Sequence, residues 1–286
     1  IVGQKVHSSQ VRFMPNLNHK NEAVRNVMQN VKFRKALSLG INREEINNTF
    51  YFGMGQPFPI TVNPASSYFK ESFVKFIDYK PERAKELLDE IGLVDKNSDG
   101  WRELPNGDSF KLTISFFEYQ EVAPKIVEMV ISHWKNIGLN MDMKMVSGQL
   151  WNSRAQGNEL EMSIFAYPDS GPLAFPVRNY ASSLYVPSTV FPLYSGHWNE
   201  WARWNQTGGE EGIEPPAEVK QLIEWYGIAR TTMSEEKREE MCEKILQVNA
   251  EKVWSIGTIA RWPQPFIVND NLKNAAKSYI FGSDME

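Results

Sequence analysis

Residues 109–146 read SFKLTISFFEYQEVAPKIVEMVISHWKNIGLNMDMKMV. The first nine residues alternate between polar and apolar side chains, which is typical of a β-strand. Residues 121–137 then carry the apolar spacing of a long amphipathic helix that Gly138 ends, and residues 140–146 form a second strand. A strand, a helix and a strand in this order make a crossover unit, so this stretch predicts an α/β fold with partly parallel pairing.

Other stretches of the chain extend this order of strands and helices. Glycines and polar caps mark the ends of several helices, as Gly40 and Asn42 do for two neighbouring ones. Helices are predicted at residues 31–39, 43–52, 78–92, 151–157, 215–230 and 234–254. We therefore expect a mixed α/β lobe whose central sheet contains residues 10–17, 109–117, 140–146, 161–166 and 254–260.

Composition places the chain among globular proteins. Hydrophobic residues make up 42% of its 286 residues, which is enough for a core. The 31 Lys and Arg against 35 Asp and Glu leave a net charge of −4, which offers no basic excess for nucleic acid. No apolar run approaches the roughly 20 residues that span a bilayer. The single Cys242 can form no internal disulfide, which suits an exported protein as well as a cytoplasmic one.

Residues 167–216 form the strongest functional signal in the sequence. Regular periodicity is absent there over a length too great for a plain connector in a compact domain. The segment is rich in Tyr, Trp and Phe, whereas disordered segments are poor in aromatic residues. Because aromatic side chains give large contact area for little lost side-chain freedom, the segment predicts a recognition surface.

The loop DKNSDGWRELPN is the nearest match to a metal motif. Asp95, Asn97 and Asp99 alternate as in a calcium loop, and Gly100 stands at the sixth position. The twelfth position is Asn106 instead of the bidentate glutamate, which removes two oxygens and a charge. The loop is therefore a weak calcium candidate, and a plain acidic turn is the simpler interpretation.

Catalytic motifs are not evident in the sequence. It contains no G-x-S-x-G elbow, and Cys242 lies on a charged helix with no histidine near it in sequence. The acid pair Glu210 and Glu211 could serve a glycosidase, but the flanking glycines favour a solvated turn. The four histidines have no metal-ligand spacing. The sequence therefore gives no support for a nucleophilic, glycosidase or histidine metal site, and we expect no cofactor.

Three stretches resemble one family of transport proteins. Residues 30–55, NVKFRKALSLGINREEINNTFYFGMG, resemble the motif (D)VRxRxALxxAIDRxxI followed by a glycine-rich turn. Residues 79–92 are similar to the helix YDPxKAKxLLxEAG, and residues 254–265 to the strand lxxxxPxIPL. These motifs are typical of the oligopeptide, dipeptide, opine and nickel class of extracellular solute-binding proteins of ABC importers.

The resemblance implies a lobe of a periplasmic-binding-protein-like fold, of type II and the peptide-binding class. Residues 1–261 would form the second ligand-binding lobe, and residues 262–286 would begin the segment that returns to a first lobe absent from this chain. The expected function is capture of oligopeptides outside the membrane and delivery to an ABC importer permease, without catalysis. The expected protein is monomeric, periplasmic or extracellular and cell-surface associated, from a bacterium or archaeon. It would meet the membrane only through the importer or an absent N-terminal anchor.

The expected ligand-binding residues follow the strand at 161–166. They are Tyr167, Asp169, Arg178 and Tyr180 near the strand end, with Trp198, Trp201 and Trp204 as an aromatic wall. Peptide binders of this family place an aspartate after the strand, in the segment ADYxxP, to pair the amino terminus of the peptide. Asp169 in IFAYPDSGP is near that place, and Arg178 would bind a carboxylate by a two-pronged contact.

Alternatives stay open for these residues. If Asp169 is not that anchor, a wall of three tryptophans favours an oligosaccharide, because sugar rings stack on aromatic faces. Each tryptophan could instead pack on the core of the lobe. A protein-interaction module and a hydrolase are the further alternatives.

Overall fold

A computed structural model describes residues 2–5, 11–117, 123–166, 175–176, 182–265 and 278–281. Its strands are β1 (Val2–Lys5), β2 (Val11–Pro15), β3 (Gln56–Pro57), β4 (Lys111–Phe117), β5 (Asn140–Val146), β6 (Met162–Ala166), β7 (Ile256–Gly257), β8 (Ile259–Ala260), β9 (Pro263–Pro265) and β10 (Ser278–Phe281).

The described helices begin soon after β2. They are α1 (Glu22–Gln29), α2 (Val31–Leu39), α3 (Arg43–Tyr51), α4 (Pro81–Asp89), α5 (Ala123–Lys135), α6 (Gly148–Gln156), α7 (Pro192–Ser195), α8 (Asn199–Gln206), α9 (Ala217–Thr231) and α10 (Glu235–Lys252). Asn30 caps α2 and Asn42 caps α3, each by accepting a backbone N–H of the first turn. None of the described helices is both long and apolar enough to cross a membrane.

The central sheet has the strand order β5, β4, β6, β2, β7. The crossover unit pairs β4 with β5 in parallel along its whole length, from Lys111 opposite Asn140 to Phe117 opposite Val146. Strand β6 is also parallel to β4, whereas β2 is antiparallel to both β6 and β7. The mixed α/β fold and the five strands expected from the sequence are therefore confirmed.

One predicted strand is divided in the structure. Residues 254–260 give β7, which joins the central sheet, and β8, which pairs with β3 in a separate two-stranded sheet. Between them, the Thr258 hydroxyl accepts from the Val11 N–H at 3.3 Å and donates to the Val11 carbonyl at 2.9 Å. Because this side chain occupies both backbone groups of Val11, the ladder between β2 and β7 ends there.

A third sheet contains β1, β9 and β10. Strand β1 runs parallel to β10 and antiparallel to β9. Residues 2–5 thus pair with strands from the other end of the chain and not with the central sheet. We call this three-stranded unit the small sheet.

In the part of the chain that the structure describes, three hydrophobic clusters stabilise the lobe, and the smallest of them contains Trp151, Ala155 and Leu160. The largest one joins the central sheet to helices α1 to α5, and in it the ring of Phe13 meets the ring of Trp134 edge-on at 5.1 Å. The second lies between α9 and α10 and includes Leu222, Tyr226 and Cys242. Burial raises the pKa of the Cys242 thiol to about 12, so this cysteine is a core residue and not a nucleophile.

A buried arginine on α2 fastens the end of α10. Arg34 is 1% exposed, and its Nε donates to the carbonyls of Lys252 at 3.0 Å and Val253 at 3.1 Å. Its NH1 donates to the Met28 carbonyl at 2.7 Å, and its guanidinium lies 4.6 Å from the ring centroid of Trp254. Burial lowers the pKa of Arg34 to about 9, which leaves the group charged at neutral pH.

A second buried arginine, Arg43, attaches β7 to the lobe by bonding to its backbone. The Nε of Arg43 donates to the Gly257 carbonyl at 3.0 Å, and its NH1 donates to the carbonyls of Ser38 and Ile77. Burial lowers the pKa of Arg43 to about 9 as well. Arg34 and Arg43 are the arginines that match the family motif, so in this chain they hold backbone together.

Candidate ligand-binding edge of the central sheet

Strand direction defines one edge of the central sheet, which we call the carboxyl edge. Strands β4, β5, β6 and β7 all run the same way, so their carboxyl ends meet there together with the start of the antiparallel β2. Two segments connect this edge to the small sheet, and we call them the links. They are residues 6–10, which precede β2, and residues 261–262, which follow β8. In open α/β sheets ligands bind beyond the carboxyl ends of the strands. This edge is therefore the candidate site.

Four of the seven expected ligand residues lie outside the described residues: Tyr167, Asp169, Arg178 and Tyr180. The strand that precedes them, β6, ends at Ala166, as predicted from the sequence. Ala166, the last residue of β6, pairs with Val11 at the carboxyl edge. Their contact with a solute stays a prediction.

Two of the three expected wall tryptophans lie in the core. Trp198 is 0% exposed and Trp201 2%. Both rings pack against Trp254, with centroid distances of 5.9 and 6.3 Å, and the Trp198 Nε1 donates to the Ser183 carbonyl at 3.1 Å. For these two residues the structure supports the packing alternative, because their surfaces are already covered by the lobe itself.

Trp204 does not share their face. An α-helix turns about 100° per residue, so each step of three residues shifts a side chain by about 60° around the axis. Two such steps separate Trp204 from Trp198, so Trp204 lies on a different side of the helix and is partly exposed. The ammonium of Lys220 lies 5.2 Å from the centroid of its ring. The expected wall of Trp198, Trp201 and Trp204 is therefore absent as a single surface.

The described part of the carboxyl edge includes a corner with exposed apolar side chains. A depression of about 410 Å³ lies where β5 meets α6 and is lined by Met145, Val146, Ser147 and Gly148. Met145 is 53% exposed and Leu150 43%. Sequence reasoning missed this corner, although the cap residue Ser147 directly after a strand was a signal for it.

An aromatic pair, Phe117 and Trp151, packs beneath this corner. The ring of Phe117, the last residue of β4, meets the ring of Trp151 at 5.3 Å with an interplanar angle of 62°. The Trp151 Nε1 donates to the Ser115 carbonyl at 3.0 Å, which fixes the indole under α6. The corner therefore rests on side chains that are already held in place.

A buried arginine lies on β2, and a buried histidine lies close to it. Arg12, on β2, is 0% exposed, and its NH2 donates to the Leu193 carbonyl at 2.9 Å. His197 is also fully buried, and its ring nitrogens have no hydrogen-bond partner among the residues that the structure describes. Burial lowers the pKa of His197 well below its ordinary value, and Arg12 and Arg34 lower it further, so the imidazole is neutral at pH 7.

The acidic loop lies away from the carboxyl edge. Asp95, Asp99 and Glu103 bring carboxylate oxygens within 4.8 Å of one another. Asp95 accepts backbone N–H groups of Ser98 and Gly100 at 2.7 and 2.9 Å. These bonds close the turn, as expected for a plain acidic turn.

The calcium candidate differs from its expected ligand set. Two of its three expected residues, Asp95 and Asp99, lie in the carboxylate group, with Glu103 added to them, while the Asn97 side chain accepts the Asp99 N–H at 2.8 Å. The neighbouring Arg102 N–H bonds to the Gly138 carbonyl, just before β5 begins, which places the loop at the opposite edge of the sheet. The loop is therefore not part of the candidate site.

Comparison with known proteins gives one matching family model. The model of the "Bacterial extracellular solute-binding proteins, family 5 Middle" matches residues 3–184, well over half of the chain. The oligopeptide-binding protein AppA of Bacillus subtilis is 30% identical over 130 residues, which cover 45% of this chain and 23% of that protein. A periplasmic alpha-galactoside-binding protein of Rhizobium meliloti is 19% identical over 259 residues, which cover 88% of this chain and 35% of that protein.

Solved structures give the same result for the fold. An oligopeptide-binding protein OppA has a TM-score of 0.82 and 27% identity over 99% of this chain and 46% of its own. The binding protein MelB of Agrobacterium fabrum, in complex with stachyose, has a TM-score of 0.76 and 15% identity over 92% of this chain and 39% of its own. The chain spans less than half the length of these proteins. With the family model and the fold in agreement, the chain belongs to the bacterial extracellular solute-binding proteins of family 5.

Proposed function

We propose that this chain is the second ligand-binding lobe of the solute-binding subunit of an ABC importer, and that the solute is an oligopeptide. The observation that carries the proposal is the likeness to the oligopeptide-binding protein OppA, which extends over 99% of this chain at 27% identity. The subunit acts outside the membrane, in the periplasm or at the cell surface, as a monomer. It hands the solute unchanged to the permease.

Two links between sheets support the division of the chain. Residues 262–286 begin the segment that returns to the first lobe, and β9 and β10 of this segment pair with β1. The second lobe expected from the sequence is residues 1–261. Because residues 2–5 pair with this segment, we propose that the lobe itself runs from β2 to β8. The cleft lies at the carboxyl edge, from which both links depart.

The solute contacts lie after β6. Asp169 binds the cationic amino terminus of the peptide and Arg178 its carboxylate, with Tyr167 and Tyr180 beside them. The apolar corner at Met145 and Leu150 adds contact area that does not depend on peptide sequence, as a promiscuous receptor requires.

The test compares free and acetylated tetrapeptides by calorimetry on the full-length protein. Asp169→Asn should weaken free-amine peptides by about 2 kcal/mol, the scale of a charge-assisted hydrogen bond, and leave acetylated peptides unchanged. The matched control is Asp108→Asn, an exposed aspartate that accepts from its neighbour Asn106. Equal loss for both peptide forms would show that Asp169 only shapes its loop.

An oligosaccharide is the second candidate solute. The alpha-galactoside-binding relative aligns with 88% of this chain, and the stachyose complex of MelB has a TM-score of 0.76. A ligand that binds only the native state raises the melting temperature of the full-length protein. A shift with stachyose and none with tetrapeptides would replace the peptide proposal with this one.

Catalysis is tested on the same samples. We expect mass spectrometry to recover the bound tetrapeptide or stachyose intact after prolonged incubation. Cleavage that is lost when an acidic residue is mutated would instead favour a hydrolase.

A further inference from the structure

A groove of about 650 Å³ lies between α2 and α4, outside the candidate site. Gly40, which ends α2, packs against Ile137, a few residues before β5 begins. The Lys80 N–H, just before α4, donates to the Leu39 carbonyl at 2.8 Å. The end of α2 and the start of α4 therefore lie near the amino end of β5, across the sheet from the carboxyl edge.

The floor of the groove is apolar. It is formed by Val31 and Leu39 of α2, Leu87 of α4, and Phe76 from the segment between the helices. Phe76 has φ +57°, a left-handed backbone that aromatic residues rarely adopt, and its carbonyl accepts from the Ser38 hydroxyl at 2.7 Å. The floor is therefore fixed in place by the body of the lobe.

The rim of the groove carries an excess of positive charge. Five cationic side chains line it, against the carboxylates of Asp78 and Glu90. The cationic side chains are Lys32, Lys35, Lys75, Lys80 and Arg83. Glu90 is shared by Lys32 and Arg83, both at 2.9 Å, and Arg83 also pairs with Glu86 at 2.7 Å. Lys80 pairs with Asp78, and Lys75 reaches Glu251 at 3.5 Å. Five cations against these four carboxylates leave an excess of one positive charge.

Lys35 differs from the other four. Among the described residues it has no carboxylate within ion-pair distance, and its Nζ lies 4.5 Å from the ring centroid of Phe76. Burial lowers the pKa of Lys35, and the charges of Lys252, Lys75 and Arg34 lower it further, against the opposing effect of Glu251. A carboxylate placed beside Lys35 would relieve this repulsion.

We propose that this groove binds an acidic segment of a partner polypeptide, with one apolar side chain on the Phe76 floor and a carboxylate on Lys35. A groove of this volume accommodates a few side chains. Charge complementarity selects an acidic segment over a neutral one and guides the encounter. The proposal is independent of solute binding at the carboxyl edge.

The probe is a pentapeptide, Leu-Asp-Glu-Phe-Asp, acetylated and amidated at its ends so that it cannot use a free terminus at Asp169. We expect calorimetry to show binding that 0.5 M NaCl weakens, because rim charges are screened. Lys35→Gln should weaken binding about tenfold, and the peptide with Asn and Gln in place of its acids should bind at least about tenfold more weakly.

The matched control is Lys135→Gln. Lys135 also lies over an aromatic ring, 5.7 Å from the centroid of Trp101, but outside the groove. Binding within about twofold of the unsubstituted protein is expected for this variant. Equal affinity of the Lys35→Gln and unsubstituted proteins, equal binding of the neutral peptide, or no binding at 1 mM would each overturn the proposal.

Vesicles with 30% anionic lipid distinguish a membrane from a polypeptide. Co-sedimentation that Lys35→Gln abolishes, without peptide binding, would overturn the choice of a polypeptide partner. Because Lys35 is partly exposed, the variant should keep its melting temperature. Solute binding by the full-length protein should also be unchanged in this variant, which separates this test from that of the proposed function.

Discussion

Replacing Arg34 by Met should destabilise the fold by about 3 kcal/mol. The substitution removes hydrogen bonds to the carbonyls of Met28, Lys252 and Val253. The Nε–H is shared between the Lys252 and Val253 carbonyls, so the loss is counted by the acceptors that the substitution leaves without a donor. At about 2 kcal/mol for each of these three carbonyls, the loss is roughly 6 kcal/mol. The contact with the Trp254 ring at 4.6 Å adds about 1 to 2 kcal/mol.

Arg34→Met also removes a buried positive charge, and this gain partly offsets the loss of stability. Burial lowers the pKa of Arg34 from 12.5 to about 9, and at 1.36 kcal/mol per pH unit the cost of keeping the guanidinium charged is about 5 kcal/mol. The difference between the two effects is about 3 kcal/mol, and it comes from carbonyls left without a donor.

Urea denaturation at pH 7 and 25 °C measures the effect as a change in the free energy of unfolding. The neighbouring Lys35→Gln is the control, and we expect it to change the free energy of unfolding by less than about 0.5 kcal/mol. A loss below about 1 kcal/mol for Arg34→Met would refute the reasoning, because it would mean that water satisfies the three carbonyls.

Two further predictions concern His197 and Gly257. The unfolded chain binds a proton at His197 near pH 6.5 and the native state does not, so stability should fall as pH decreases below 6.5, by up to about 1.4 kcal/mol per pH unit. Melting temperatures between pH 7 and 5 should show a shallower slope for His197→Gln, and an unchanged slope would contradict a buried neutral imidazole. At Gly257 a Cβ would lie 2.6 Å from the Phe58 carbonyl oxygen, so Gly257→Ala should cost about 1 to 3 kcal/mol in urea denaturation. Gly227→Ala is its control, because nothing lies within 4 Å of that Cβ on α9, and an equal loss in both variants would argue against a steric cause.

The strands of the central sheet could be predicted because the sequence pattern that specifies each strand lies within the strand itself and its neighbours in the chain. Alternation of apolar residues marks β4 and β5, and the helix between them requires a parallel crossover. The division of residues 254–260 was not predictable in this way. It depends on Thr258 bonding to Val11, 247 positions earlier in the chain, and nothing in the alternation of the segment reports that contact.

The candidate site was harder to predict than the sheet. Spacing places Trp198 and Trp201 near one face of a helix. The direction of that face is decided by Trp254, which lies about 50 positions later in the chain, between α10 and β7. The arginines of the family motif present the same difficulty. Arg34 and Arg43 look like solvent-facing residues in the sequence, and only the backbone carbonyls of α10 and β7 make their burial favourable.

The fastening of residues 252–258 has a mechanical consequence. Arg34, Arg43 and Thr258 attach this stretch to the lobe through side chains that reach backbone carbonyls, before the chain leaves toward the small sheet. A stretch of backbone that is bonded to the lobe at several points moves together with the lobe and does not twist within itself. A rotation of the small sheet against the lobe would therefore be absorbed by the backbone torsions after Ala260, beginning at Arg261 with its φ of +57°, and would leave the interior of the lobe unchanged.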